Sequence, residues 1–304
     1  MIMVKHNWLK SVAGTIYSAL PESRLRQWLR QRLLYRLTSV YALDKMVTDT
    51  GFEPDGTFFV ELNNGTKLYG EPDRVPVRDS LIPRLQKLRE LKQCDGVLGL
   101  LCYVYVTRDY ERYYQLAEGD CVIDAGANIG TFTVRAAQAV GEKGKVIAIE
   151  PEARNLEFLR RNIAANNLRN VLVIPKGVWG AKGKLRLNIS WNQTGHSVFR
   201  GTVYGTDKSK EYEEVEVDSI DGILAELGIE KVDFVKMDIE GAEVEAIKGM
   251  ENILKNGNVK LAMEYTHIVD GQTTDTVVIP WLKSRGFKVR KHGELLYAWK
   301  EGRP

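Results

Sequence analysis

Cysteine is scarce in this 304-residue chain, and Cys94, Cys102 and Cys121 are odd in number and lack the short paired spacing of zinc or redox motifs. That argues against a disulfide framework and a metal knuckle, and favours a reducing compartment. An excess of one charge is missing too, since 43 Lys and Arg stand against 40 Asp and Glu, a net +3. So weak a bias leaves no electrostatic footprint for nucleic acid, and no such partner is expected. The longest apolar run near the start, Ser11 to Leu20, is too short to span a bilayer and has no clear leader-cleavage site. A cytoplasmic location is the expectation. No internal repeat or low-complexity tract is present.

What is there is 44% hydrophobic and 27% charged residues, enough for one sizeable core and a smaller accessory unit. The charge is unevenly spread. Residues 1–48 hold eight lysines and arginines against Glu22 and Asp44, a net +6 that leaves −3 for the rest. Within them, Leu25, Trp28, Leu29, Leu33, Leu34 and Leu37 recur at helical spacing opposite arginines, which predicts an amphipathic basic helix over 24–41. Packing of that stripe on the rest of the protein is the simpler expectation. Oligomerisation, or contact with the inner face of a membrane, is the alternative.

Three regions follow from these patterns: a basic helical segment (1–48), a small α+β region (49–118) and a catalytic domain (119–304). In the second, Thr57 to Leu62 and Thr66 to Tyr69 flank the turn signal Asn63, Asn64 and Gly65, predicting a hairpin, and Arg78 to Gln115 reads as mainly helical. In the third, apolar runs at Cys121 to Ala125, Lys145 to Glu150, Val171 to Ile174, Val232 to Met237 and Lys260 to Met263 read as strands. Helical patterns occupy Thr131 to Val140, Ala153 to Asn166, Gly241 to Lys255 and Thr274 to Arg285. Such alternation predicts an α/β fold, a mostly parallel sheet with helices on both faces, interrupted by a polar hairpin-like insertion between Gly180 and Asp218.

The chemistry concentrates at three strand ends. Val122 to Thr133 is an apolar strand turning through Asp124, Gly126, Asn128 and Gly130 into a helix; the glycines permit close backbone approach, and Asp124 sets a carboxylate where a cationic ligand group would sit. A second strand ends in Glu150 and Pro151, twenty residues after Gly130, where an acid accepts hydrogen bonds from both ribose hydroxyls. The pair implies an adenosine-type ligand that carries positive charge. The third strand ends in Asp238, Glu240 and Glu243; Asp238 is expected in the same cleft, with the two glutamates in the first turn of a helix, where capping explains them as well as function does.

These residues resemble the FkbM-type methyltransferases of the Rossmann-like class, through D-A-G-A-N-I-G-T-F-T at Asp124 to Thr133, I-E-P at Ile149 to Pro151 and K-M-D-I-E-G-A-E at Lys236 to Glu243. L-A-M-E-Y-T-H at Leu261 to His267 is a weaker match. The resemblance covers about residues 105–270. It implies a seven-stranded Rossmann-like sheet and S-adenosylmethionine as cofactor, with Asp124, Gly126, Asn128 and Gly130 shaping the pocket for its methionine part. Glu150 would hold the ribose, Val178 would lie near the adenine, Asp238 would face the sulfonium, and Ala127, Thr131 and Pro151 complete the expected cofactor set.

Methyl transfer from a sulfonium mainly requires an acceptor held in line and, for a hydroxyl, a group to take its proton. Asp238 and Glu240 are the candidates for that base, with His196 and His267 as rivals. No metal is expected, although Asp238, Glu240 and Glu264 are oxygen ligands of the kind magnesium takes. The resemblance implies O-methylation of a sugar, lipid or secondary metabolite. The competing readings are an N-methyltransferase, a non-catalytic S-adenosylmethionine-binding or membrane-associated protein, and a nicotinamide-dependent oxidoreductase, whose pyrophosphate glycine pattern is absent.

Overall fold

The computed structural model describes residues 42–72, 95–189, 212–255 and 258–300. The basic helix expected at 24–41, and His196, lie outside them. No helix among the described residues is long and apolar enough to cross a membrane.

Strands β1 (Val47–Phe52), β2 (Phe58–Leu62) and β3 (Lys67–Gly70) form an antiparallel sheet. The expected turn joins the last two, with Gly65 in the left-handed region at φ 81°. Helix α1 (Asp95–Leu101) runs into a π-helical turn, Cys102–Val106, and a 3-10 turn, Asp109–Glu111. The βα alternation then begins: β4 (Cys121–Ala125), α2 (Thr131–Val140), β5 (Lys145–Ile149), α3 (Ala153–Ala165) and β6 (Val171–Ile174). The short β7 (Gly177–Val178), with β8 (Gly183–Asn188) and β9 (Tyr212–Asp218), makes a small separate sheet in which β8 and β9 are the hairpin partners expected of the insertion. Helix α4 (Ile220–Leu227) was not anticipated; Ser219 caps it through Gly222 N at 3.0 Å, and Gly228 at φ 64° ends it.

The chain returns through β10 (Phe234–Met237), α5 (Glu243–Ala246), α6 (Glu251–Lys255) and β11 (Lys260–Glu264). After the two-residue strands β12 (Ile268–Val269) and β13 (Gln272–Thr273) come α7 (Asp275–Ser284), β14 (Lys288–His292) and β15 (Leu295–Trp299). The main sheet has seven strands in the order β14-β15-β11-β10-β4-β5-β6, with β15 alone running against the other six.

Alternate residues of the central strands enter two separate cores, which is why these strands read as unbroken apolar runs. Val122, Val146, Phe234 and Ala262 bury on one side, in a core shared with Val60, Leu68, Val97 and Tyr110 of the region before β4. Ile123, Ile147, Val235 and Leu261 bury on the other, with Ile223, Leu254 and Leu282.

One expectation is corrected. Residues 241–255 do not form a single helix, because α5 and α6 are separated by a 3-10 turn, Ile247–Gly249. At Gly249 a side chain would meet Ser219 Cβ at 2.6 Å and the Trp179 carbonyl at 2.7 Å, so a segment distant in sequence presses on the backbone there.

Candidate active site

Strand register brings the predicted residues to one edge. Ala125 pairs with Ile149 on one side and Met237 on the other, and Met237 pairs with Met263. The next residue of each strand or turn, Gly126, Glu150, Asp238 and Glu264, therefore falls at the carboxyl end of the sheet. The contact between the first and third admits no side chain. A Cβ on Gly126, which has φ 75°, would stand 1.9 Å from the Asp238 carbonyl oxygen. Asn128 also takes a left-handed conformation (φ 52°), and its Oδ1 accepts from Ile129 N at 2.8 Å. Gly130, at φ 87°, lies where a side chain would meet Leu159 Cδ1 at 2.5 Å. Backbone thus excludes a side chain at 126, and one at 130 requires Leu159 to shift, so the loop packs closely on the turn after β10 and on α3.

Asp124 meets a cation, but one supplied by the protein itself. Its carboxylate has no exposed surface, takes the Thr133 hydroxyl at 2.6 Å and pairs with Lys236 Nζ at 3.1 Å. Lys236 also donates to the carbonyls of Gly126 (2.6 Å) and Ala125 (3.3 Å), so it ties the glycine loop to β10. Burial works to lower the Lys236 pKa, but the Asp124 and Asp238 carboxylates outweigh it and hold it above its ordinary value.

Glu150 is buried beside the loop and accepts from Asn128 N at 2.8 Å and Glu152 N at 3.1 Å. Burial pushes its carboxyl up to about 7, against the pull of those hydrogen bonds. Folding therefore takes up a proton here, and this group's contribution to stability falls as pH rises from 4.5 through about 7. A ligand whose hydroxyls need the ionised carboxylate should bind about tenfold more tightly at pH 8 than at pH 6. Calorimetric titration with S-adenosylhomocysteine checks this: the slope should vanish in Glu150→Gln, and a flat wild-type profile would remove Glu150 from the ligand.

The third strand end is a cluster of acids around one imidazole. Asp238 accepts the Tyr110 hydroxyl at 2.8 Å. Burial pushes the Tyr110 pKa upward, so it stays a donor. Burial also works to raise the Asp238 pKa, yet Lys236 and His267 outweigh it and hold the carboxylate below its ordinary value. Glu264 goes the other way, up to about 9, through burial and then the Asp238 charge. His267 is 2% exposed, with Nδ1 3.1 Å from Glu243 Oε1 and Nε2 3.2 Å from Glu240 Oε2. Burial would lower its pKa, but the Glu240 and Glu243 hydrogen bonds push it up to about 12. Glu240 itself is raised, chiefly by burial.

Glu240 is not in the first turn of a helix, as the spacing suggested. It precedes α5 at φ 55°, whereas Glu243 opens that helix and reaches back to Ile239 N (3.2 Å) and Gly241 N (3.4 Å).

The model of the methyltransferase FkbM domain matches residues 124–289 of this chain, from the acid of the glycine loop to the strand after the acid–imidazole cluster. The chain belongs to the FkbM methyltransferase family. Its matched segment is an S-adenosylmethionine-dependent methyltransferase domain. Methyltransferase sdnD of Sordaria araneosa is 30% identical over 160 residues, 43% of this chain and 60% of that protein. The chain thus spans about three fifths of that relative's length. A probable cobalt-precorrin-6B C(15)-methyltransferase (decarboxylating) of Saccharolobus solfataricus is 29% identical over 172 residues, 52% of this chain and 81% of that one. The solved structure of a methyltransferase FkbM from Methylobacillus flagellatus KT is 20% identical, covers 70% of this chain and 54% of its own, and has a TM-score of 0.45.

In this FkbM methyltransferase domain the strand register gathers Asp124, Gly126, Glu150 and Asp238, and the turn before α5 with the segment after β11 adds Glu240 and His267. Val178 is buried next to Gly177, where a Cβ would lie 3.8 Å from Pro151, so the expected adenine-side residue adjoins the Glu150 corner. Sequence reasoning missed Tyr110 and Lys236. A lysine inside an apolar strand buried on both faces is a signal for the second; nothing distinguished Tyr110 from its neighbouring tyrosines.

Proposed function

We propose that the protein transfers a methyl group from S-adenosylmethionine to a hydroxyl of a sugar, lipid or secondary metabolite. One observation carries this reading: an ionised carboxylate, Asp238, is borne by backbone in direct contact with Gly126 of the cofactor loop. Gly126, Ala127, Asn128, Gly130 and Thr131 would hold the methionine part, Glu150 and Pro151 the ribose, and Val178 the adenine side, with Asp124 acting through Lys236 to fix the loop. The bound cofactor supplies a methyl on a positively charged sulfur that leaves as a neutral thioether. The protein's own share is to orient the acceptor and receive its proton, and Asp238 and Glu240 are the groups that would do so. His267 is a poor base, because both its nitrogens face carboxylates and it holds its proton to about 12.

Oxygen is preferred over nitrogen because many amine methylases carry a D/N-P-P-F/Y/W loop at this strand end, where this chain has Asp238, Ile239, Glu240 and Gly241. The test is incubation with methyl-labelled S-adenosylmethionine and panels of hydroxyl-bearing and amine-bearing acceptors. Label in methyl ethers or esters supports the reading, and label confined to amines overturns it.

A further inference from the structure

The cluster around His267 contains more than proton acceptance requires. One ligand-type atom each from Asp238, Glu240 and His267 lies within 4.8 Å of the other two. The imidazole is oriented as metal-binding histidines are, with one nitrogen tied to a carboxylate so that the other is presented in a fixed direction. Glu243 does the tying, Oε1 to Nδ1 at 3.1 Å, and is itself anchored by Ile239 N and Gly241 N in the turn that bears Asp238 and Glu240. Its other oxygen, Oε2, is buried and has no hydrogen-bond partner among the described residues. Nε2 faces Glu240 Oε2 at 3.2 Å and Glu264 Oε1 at 3.7 Å. Glu240, Glu243 and Glu264 therefore converge on one buried ring with Asp238 beside it, and a divalent cation at Nε2 would take the place of the proton that otherwise bridges the ring to Glu240.

We propose that Asp238, Glu240 and Nε2 of His267, with Glu264 alongside, form a site for a divalent first-row metal ion. The mixed imidazole and carboxylate donors suit a first-row divalent ion better than magnesium, which takes oxygen alone, and Mn2+ is the probe that reports on it. A cation there stands at the strand end assigned above to the acceptor hydroxyl, which it would polarise and hold beside the cofactor loop. The inference rests on the methyltransferase reading for that use of the metal, but not for the binding itself.

The test uses the full chain, stripped with a chelator and titrated with Mn2+ while free Mn2+ is followed by electron paramagnetic resonance. Binding of one equivalent, weakened about tenfold or more in Glu240→Gln and in Asp238→Asn, is the expected result. S-adenosylhomocysteine affinity and circular dichroism, measured on the same samples, report on the cofactor cleft and on folding; a variant that fails to fold is replaced by Glu264→Gln. Wild-type protein that takes up no Mn2+ at about 1 mM, or one-equivalent binding that survives unchanged in the folded variants, overturns the site. Loss of the metal result with S-adenosylhomocysteine binding intact removes the cation alone. Loss of S-adenosylhomocysteine binding from wild type strikes the cofactor reading instead.

Discussion

Asp238→Asn is expected to lower kcat by about 10²- to 10⁴-fold while S-adenosylhomocysteine affinity stays within a few-fold of wild type. The amide is nearly isosteric, and its oxygen can still accept the Tyr110 hydroxyl that Asp238 takes at 2.8 Å. Packing around the strand end is therefore retained. What disappears is a charge held ionised by Lys236 and His267, and with it the capacity to receive a proton. The Gly126 contact involves only the backbone of residue 238, so the cofactor loop has no reason to move. Steady-state kinetics with the methyl acceptor, paired with calorimetry, make the measurement. A variant that turns over at close to the wild-type rate would remove Asp238 from the chemistry.

Gly126→Ala should be the most damaging single-methyl change in the cofactor loop. The added carbon would lie 1.9 Å from the Asp238 carbonyl oxygen and 3.0 Å from its carbon. Both are backbone atoms, so no side-chain rotation relieves the overlap, and the chain at 126 and at 238 must separate. The left-handed φ of 75° adds strain of about 1–2 kcal/mol. A total of about 3 kcal/mol or more follows, or a fall in Tm of about 6–12 °C for a domain of this size, with S-adenosylhomocysteine binding weakened by about tenfold or more. Gly119→Ala is the control: φ is 89° there, but nothing lies within 4 Å of a Cβ. It carries the conformational strain without the clash, and should cost about 1–2 kcal/mol. Equal losses in the two variants would show that the 126–238 contact is unimportant.

The difference between these two glycines is one that no reading of the chain could supply. Both follow polar or apolar runs at strand boundaries, and only the pairing of β4 with β10 sets one of them against a carbonyl. The same holds for charge. Asp124 was legible as a strand-end acid, but the cation it meets, Lys236, is on another strand, and the turn that fixes His267 through Glu243 is 24 positions away from it. Tyr110 and Asp238 are 128 positions apart.

Secondary structure divided along similar lines. The strands at 121–125, 171–174 and 260–264, and the helix at 131–140, were readable because apolar runs bounded by turn residues are local signals. The broken helix at 243–255 was not, since the close approach of Ser219 and the Trp179 carbonyl to Gly249 comes from segments distant in sequence.

By itself, then, the sequence determined the alternation of strands and helices, the glycine loop and the row of acids at strand ends, because each depends on residues within a turn or two of one another. Which of those acids are neutralised by a lysine, which hold a proton and which converge on His267 was decided only when distant strands packed together. The free energy of a buried charge is set by its neighbours in space, and burial supplies those neighbours from anywhere in the chain.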